Sequence, residues 1–233
     1  MVKTKLKNIS LFFPAYNEED NIENAINTAK KALAQIADEF EVLVVNDGSR
    51  DRTQRIVEEI CQKDKRVRLI NHEHNKGYGS AVCSGFAACR YDYVFFTDAD
   101  NQFDVFEIEK LVILITEADI AAGYRIKRKD PFYRTINAWG FNMLVRILFR
   151  VKIKDIDCAF KLFRKRAIER IHLESVGALV NTEIIVKSTK QGFRIKQVGV
   201  THYQRFFGEQ TGANPLVVLR AFFEIIKLWK KLR

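Results

Sequence analysis

Short apolar runs alternate with amphipathic stretches through the first half of the chain. ISLFFPAYN (9–17), FEVLVVNDGS (40–49), RVRLINHEHN (66–75), YDYVFFTDAD (91–100) and ADIAAGYR (118–125) are rich in Val, Ile and Phe and read as strands buried on both faces. Between them, 19–37, 51–62, 79–89 and 104–116 have the pattern of helices. This alternation predicts right-handed βαβ units and a mostly parallel central sheet flanked by helices, an α/β fold of Rossmann-like character. Asp47, Ser49 or Asp51 is placed to cap the second helix and Asp104 the fourth.

The second half is less regular. Residues 131–150 form a very apolar helical pattern, 155–171 a short strand and helix, 181–192 a helix, and 193–203 a last strand. The closing stretch NPLVVLRAFFEIIKLWKKLR is helical, with Arg220, Glu224, Lys227 and Lys231 on one stripe. Those charges argue against a membrane span. Two readings of this helix stand: it lies in a membrane interface with Trp229 and the terminal lysines near the headgroups, or it packs on the domain's own core. With no internal repeat or low-complexity linker, residues 1–212 read as one domain and 213–233 as an appended amphipathic helix.

Composition narrows the class. At 233 residues and 47% hydrophobic, the chain buries a large core, which excludes disorder. Cys61, Cys83, Cys89 and Cys158 form no C-x-x-C pair, and the N-terminus is too polar for a signal peptide, so a reduced, cytosolic compartment is expected. The net charge of +10 is local: residues 125–170 hold fourteen Lys/Arg against Asp130, Asp155, Asp157 and Glu169. Such a block suits a phosphate-bearing substrate, an anionic membrane surface, a nucleic acid or a merely solvated face. No nucleic-acid recognition motif accompanies it, and nucleic acid is not expected as a partner.

Open α/β sheets bind ligands beyond the carboxyl ends of their strands, and here those positions read PAYNEE, NDGSRD, NKGYGS, DADNQ and GYRIKR. In DADNQ, Asp98 and Asp100 point to one side of an extended segment, and Gln102 joins them if the chain stays extended. Oxygen donors of this kind suit Mg²⁺ or Mn²⁺ sharing its shell with phosphates. Asp47 is either a turn and cap residue or a carboxylate for a nucleotide's base or ribose, and local sequence does not decide. NKGYGS places Val82 where the third glycine of G-x-G-x-x-G belongs, and no P-loop occurs, so the dehydrogenase and P-loop kinase motifs are absent. His72 and His74 have no third zinc ligand at a useful spacing.

Taken in order, PAYNE, VVNDGS, NKGYGSA, TDADNQ and GYR resemble the family 2 glycosyltransferases of GT-A fold. Within them the likeness is to polyprenyl-phosphate sugar transferases of the dolichyl-phosphate mannose synthase type, over residues 9–212. The resemblance implies that Pro14, Tyr16, Glu18, Asp47 and Asp98 hold the nucleotide sugar. It makes Asp98, Asp100 and Gln102 the D-x-D-x-Q set that carries Mg²⁺ or Mn²⁺ beside the diphosphate. Arg125 matches the arginine of G-x-R, Arg134 falls where a second phosphate-binding arginine is common, and Arg205 in HYQRFFGEQ is placed near the diphosphate. Gln210 stands where that last segment usually has Ser. Asp100, Arg125 and Arg134 are the implied catalytic set.

One segment departs from the family pattern: its S-G-F-R reads Cys158-Ala159-Phe160-Lys161, so Lys161 is expected to offer a point charge on the acceptor side. The implied reaction is metal-dependent, inverting transfer from a GDP- or UDP-linked sugar to a polyprenyl phosphate. Because family members often continue into membrane helices and this chain ends at Arg233, contact with the cytoplasmic face of a membrane is expected to be peripheral or through a membrane-protein partner. A phosphate acceptor is already anionic near neutral pH and needs no strong base, whereas a saccharide or protein hydroxyl, the alternative acceptor, does. Glu183 is the candidate base, weighed against a first-turn role in a helix capped by Asn181 or Thr182. A sugar nucleotidyltransferase would also need metal and nucleotide, but its glycine-rich opening is missing.

Overall fold

A computed structural model describes the backbone of residues 5–126, 132–205 and 215–232, and their side chains except over 132–138 and 215–223. The elements follow the order β1 (Leu6–Ala15), α1 (Ile22–Ile36), β2 (Ala37–Asn46), α2 (Thr53–Lys63), β3 (Val67–Asn71), α3 (Tyr78–Ala88), β4 (Tyr93–Thr97), α4 (Ile108–Ile115) and β5 (Ile120–Ile126). Then come α5 (Phe132–Phe149), β6 (Phe160–Arg164), α6 (Lys165–Ile168), α7 (Val180–Lys190), β7 (Ile195–Thr201) and α8 (Pro215–Leu232). All seven strands join one sheet in the order β3-β2-β1-β4-β6-β5-β7. Every pairing is parallel except those of β6, which runs antiparallel to both β4 and β5.

Strand alternation explains the two layers. Leu11 and Phe13 of β1 face a cluster with Ile22, Ile26 and Leu33 of α1 and Leu111 of α4, while Phe12 faces the opposite cluster under α3 and α7. Phe12 is wholly buried and stacks on Phe96 with ring centroids 5.2 Å apart. Burying such a ring contributes roughly 1.5–3 kcal/mol. Helix α3 comes this close because position 85 is Gly: a Cβ there would sit 2.3 Å from the Phe12 ring.

The strands stop earlier than their apolar runs suggest. β1, β2 and β4 end at Ala15, Asn46 and Thr97, so PAYNEE, NDGSRD and DADNQ lie mostly in loops. Their polar groups bond to one another instead of to a ladder: Ser49 Oγ accepts from Asn17 N at 2.9 Å, and Asn17 Oδ1 accepts from Arg50 N at 2.8 Å. Of the three cap candidates for α2, Asp51 serves, accepting from Thr53 N at 2.9 Å, and Asp104 accepts from Phe106 N at 3.1 Å ahead of α4.

The antiparallel strand corrects the expectation of a single basic region. β6 starts at the carboxyl rim, where Phe160 pairs with Thr97, and ends at the far edge, where Arg164 pairs with Tyr93. It therefore carries Arg164, Lys165 and Arg166 away from the rim; Arg164 Nη2 bonds to Ile115 O at 2.9 Å, and Arg166 lies 3.5 Å from Asp119. What is continuous in sequence is divided between two ends of the sheet.

Helices α5, α7 and α8 enclose a third cluster that includes Val145, Ile185, Ile225 and Leu228. Ile225 and Leu228 are buried, and Lys231 bonds to Glu174 Oε1 at 2.7 Å, so the described end of α8 docks on the domain's own core. Among the described residues no helix is long and apolar enough to cross a membrane.

Candidate active site

The site is built where β1, β2 and β4 end. Beyond Thr97 the chain bends, and Asn101 takes a left-handed φ of 57°, which Asn tolerates better than most residues. Its side chain ties the turn to α1 by donating to Asn21 O at 3.1 Å. The segment does not stay extended through Gln102. Asp98 and Asp100 are nonetheless close enough to interact, and burial followed by the charge of Asp100 pushes the Asp98 carboxyl up to about 7. Burial also raises the Asp100 carboxyl.

Three further groups converge on this pair. Tyr78, at the start of α3, donates its hydroxyl to Asp98 Oδ1 at 2.8 Å. Gln102 Nε2 donates to Tyr203 O at 3.0 Å, and Tyr203 N donates to Gln102 O at 2.7 Å, so the chain beyond β7 is stitched to the acidic turn. That stitching delivers Arg205, whose Nη2 donates to Glu18 Oε1 at 2.8 Å and whose Nη1 lies 3.7 Å from Asp100 Oδ2. Glu18 is buried, which raises its carboxyl despite bonds from Asn21 and Arg205.

The remaining sequence candidates are dispersed around this centre. Pro14 is buried within β1, and Tyr16, just past its end, is exposed. Asp47 does not cap α2. Its Oδ1 accepts from Lys76 N at 2.9 Å and lies 2.6 Å from His72 Nδ1, and its Oδ2 accepts from Gly77 N at 2.9 Å. The carboxylate is buried in the wall and fixes the loop between β3 and α3. His72 Nε2 in turn lies 2.9 Å from Ser84 Oγ. Beside this loop a polar cavity of about 490 Å³ opens between Ser49, Arg50, His72 and His74; its lining includes neither Asp98 nor Asp100.

Arg125, at the end of β5, is committed to an internal partner: Nε and Nη2 donate to the two oxygens of Asp155 at 2.7 and 2.8 Å. Its charge still reaches Asp98 and Asp100. Arg134 lies in the first turn of α5, and its side chain falls outside the described residues. Gln210 lies outside them as well. Lys161 overturns its expectation. It is fully buried in β6, with Nζ donating to Ile156 O at 3.0 Å, to Cys158 O, and to Asn181 Oδ1 at 2.9 Å, so it offers the acceptor no free charge. Glu183 is engaged too, accepting from Ser175 N at 2.8 Å and pairing with Lys187 at 2.6 Å.

Residues 10–172 match the family model described as glycosyl transferase family 2. The chain belongs to that family. It is 32% identical over 202 residues to glycosyltransferase AglD of Haloferax volcanii, an alignment covering 82% of this chain and 32% of that protein. Identity is 31% to dolichol-phosphate mannosyltransferase of Pyrococcus furiosus, with 94% of this chain and 64% of the relative covered. It is 28% to dolichyl-phosphate β-glucosyltransferase of Saccharomyces cerevisiae, with 84% and 67% covered. The chain thus spans from about a third to two thirds of the length of these curated relatives. Among solved structures, glucosyl-3-phosphoglycerate synthase from Mycobacterium tuberculosis with Mn²⁺, UDP and phosphoglyceric acid superposes with a TM-score of 0.76 at 17% identity, covering 96% of this chain and 78% of that one. The fold is GT-A.

Two carboxylates that raise each other's cost of ionising in a partly buried turn are an unfavourable arrangement that a divalent cation would relieve, and their oxygen donors fit Mg²⁺ or Mn²⁺. No three His, Cys, Asp or Glu side chains converge as a complete cage among the described residues, so substrate oxygens would fill the rest of the shell. Sequence reasoning missed Tyr78, and offered Asn181 only as a cap, whereas it lies inside the first turn of α7 and accepts from Lys161. The apparent nucleotide-type glycines of NKGYGS have a packing role instead: Gly79 N donates to Val176 O at 2.8 Å, and a Cβ on Gly79 would sit 2.1 Å from Ser175 O. That close approach of α3 to the loop before α7 places Tyr78 beside Asn181 and Asp98, and nothing in the spacing of the motif signals it.

Proposed function

We propose that this chain transfers a sugar from a nucleoside diphosphate to a polyprenyl phosphate with inversion, using a divalent ion at Asp98 and Asp100. The observation that carries the reading is the convergence of those two carboxylates with Arg205, 3.7 Å from Asp100, at the carboxyl rim of a GT-A sheet. In support, relatives of this chain act, by name, on dolichyl phosphate.

Breaking the bond to the diphosphate builds negative charge on the leaving group. A bound Mg²⁺ or Mn²⁺ supplies Lewis-acid stabilisation of that charge. Asp98 and Asp100 are the residues that would hold it, with Gln102 the remaining candidate. Arg205, whose Nη1 is 3.7 Å from Asp100 while Nη2 holds Glu18, would offer that Nη1 to the diphosphate as a charge-assisted hydrogen bond. Tyr16 offers an exposed ring for the nucleoside, while Asp47 and Glu18 act through the groups they hold, Asp47 on the 72–77 loop and Glu18 on Arg205. The lipid phosphate arrives ionised, and Arg125 and Arg134 offset its repulsion with the donor. Among the described residues Asp155 takes up Nε and Nη2 of Arg125, which leaves Nη1 for this role. Glu183 is held by backbone amides and Lys187, which favours an acceptor that needs no base over a hydroxyl.

Peripheral contact with an anionic membrane belongs to the same proposal. Trp139, Met143 and Ile147 recur every four residues on α5 and are exposed, forming an apolar stripe of the kind that enters a lipid interface. The decisive experiment supplies labelled GDP- or UDP-hexose, Mn²⁺ and polyprenyl phosphate, and follows label into the organic phase. Label recovered only in water-soluble saccharide, or transfer unchanged by Asp100→Ala, refutes the proposal.

A further inference from the structure

Tyr78 stands between two glycines, and both help to pin it. Gly77 takes a positive φ of 96°, and a Cβ there would meet Val176 O at 2.5 Å, while Gly79 N donates to the same carbonyl at 2.8 Å. On the other side the Asp47 carboxylate gathers the amides just ahead of Tyr78: Lys76 N on Oδ1 and Gly77 N on Oδ2, both at 2.9 Å. Asp47 is itself buried and braced by His72 Nδ1 at 2.6 Å. The Tyr78 ring packs on the cluster under α3, its centroid 6.4 Å from that of Phe96. Groups outside the acidic turn thus fix both backbone and ring, and the hydroxyl at the far end donates to Asp98 Oδ1 at 2.8 Å.

We propose that Tyr78 is a positioning residue for the metal site. Its hydroxyl holds one oxygen of Asp98 and leaves the other for the ion, and Asp47 acts on the same carboxylate at one remove by anchoring Tyr78. This rests on the reading of Asp98 as a metal ligand. An Asp side chain has a broad χ2 well, so a carboxylate held by nothing must be stilled by the metal itself. A donor on one oxygen meets that cost beforehand, and outer contacts of this kind commonly govern metal affinity. Tyrosine suits the task because it has only two χ angles and its ring is already packed, so the hydroxyl has little freedom left to lose. Asp47 gains a role that requires no contact with the nucleotide, since its oxygens are occupied by His72 and the two amides.

The test is direct Mn²⁺ binding, read from the electron paramagnetic resonance signal of free Mn²⁺ with GDP or UDP present. Tyr78→Phe keeps the ring, removes the hydroxyl, and is expected to weaken Mn²⁺ binding about 10-fold or more. Its affinity for the nucleotide without metal should match that of the wild type, a result that general damage to the site would not give. Asp47→Asn should weaken Mn²⁺ binding in the wild-type background and add nothing in the Tyr78→Phe background, because it acts through that hydroxyl. If Asp47→Asn fails to fold, Tyr78→Phe and its nucleotide control decide. Three results overturn this inference alone: Tyr78→Phe binding Mn²⁺ as the wild type does, an equal loss of metal-free nucleotide affinity, or losses that add in the double variant. Absence of Mn²⁺ binding by the wild type overturns the metal reading and this inference with it.

Discussion

Arg205 Nη1 lies 3.7 Å from Asp100 Oδ2 while its Nη2 holds Glu18 Oε1 at 2.8 Å. One guanidinium thus spans the loops after β1 and β4 from a segment far along the chain. Under the proposed reading it is a removable counterion: a cation held at Asp100 would displace the longer contact and leave the arginine to face the donor. Arg205→Ala is expected to lower kcat by about 10²–10³ at saturating Mn²⁺ and donor, the usual cost of removing a donor to developing charge. Glu18→Gln, which loosens the same arginine, should give a smaller loss in the same direction. Steady-state kinetics check both, and an unchanged kcat in Arg205→Ala removes Arg205 from the chemistry.

The Asp98 and Asp100 pair makes stability depend on pH with a definite sign. Asp98 is pushed up to about 7 by burial and by Asp100, whereas an unfolded Asp titrates near 3.9. Between these values the folded state binds a proton that the unfolded state lacks, so metal-free stability falls as pH rises through that window and levels above it. Mn²⁺ must displace that proton below the folded value. The thermal shift caused by Mn²⁺ should therefore be larger at pH 8 than at pH 6, and Asp98→Asn should shallow the slope and abolish the shift. Equal shifts at the two pH values contradict the assignment.

How much of this could be seen in the sequence follows from which forces act locally. The βαβ frame was legible because strands buried on both faces must be apolar throughout, as in VLVV of β2 and VFF of β4. The strand ends were not, because Asn46, Asp47 and Ser49 choose between a ladder and each other's side chains only once loops meet. Asp98 and Asp100 were visible from their position after an apolar run. The commitment of Arg125 to Asp155, and the passage of Lys161 into the core, depend on β6 entering the sheet antiparallel, a tertiary event that no local pattern encodes.

Glu183 separates a structural from a catalytic carboxylate. Burial works to raise its pKa, but the Lys187 bond and those from the Ser175 and Glu174 segment outweigh it and hold the group below its ordinary value. A depressed carboxylate contributes stability that is complete above its unfolded pKa and is lost as pH falls through the folded value. Glu183→Gln should therefore cost about 1–3 kcal/mol near neutral pH, as buried donors lose their charged acceptor, and should flatten the acid limb of the stability curve. The pH profile of kcat should keep its shape. A lost acid limb in that profile would restore Glu183 as a general base and favour a hydroxyl acceptor.

The apolar stripe on α5 sets a last expectation. Trp139 and Ile147 are 65% and 64% exposed, flanking Met143 at 46%, which is a costly display unless a partner covers it. Burying even part of each side chain in a bilayer returns a share of the roughly 1.5–3 kcal/mol that full burial gives. Nearby Arg150, Lys152 and Lys154 add attraction to anionic headgroups that salt screens. The chain should co-sediment with anionic vesicles, lose much of that association at high salt, and lose more than about 10-fold in partitioning with Trp139→Glu and Ile147→Glu combined. Ile113→Glu, at an equally exposed position on α4, should leave binding as it was and so control for hydrophobicity in general. Tryptophan emission should shift to the blue on vesicle addition and cease to do so in Trp139→Phe if Trp139 enters the interface. Equal recovery of the wild type in the supernatant with and without vesicles ends the membrane assignment.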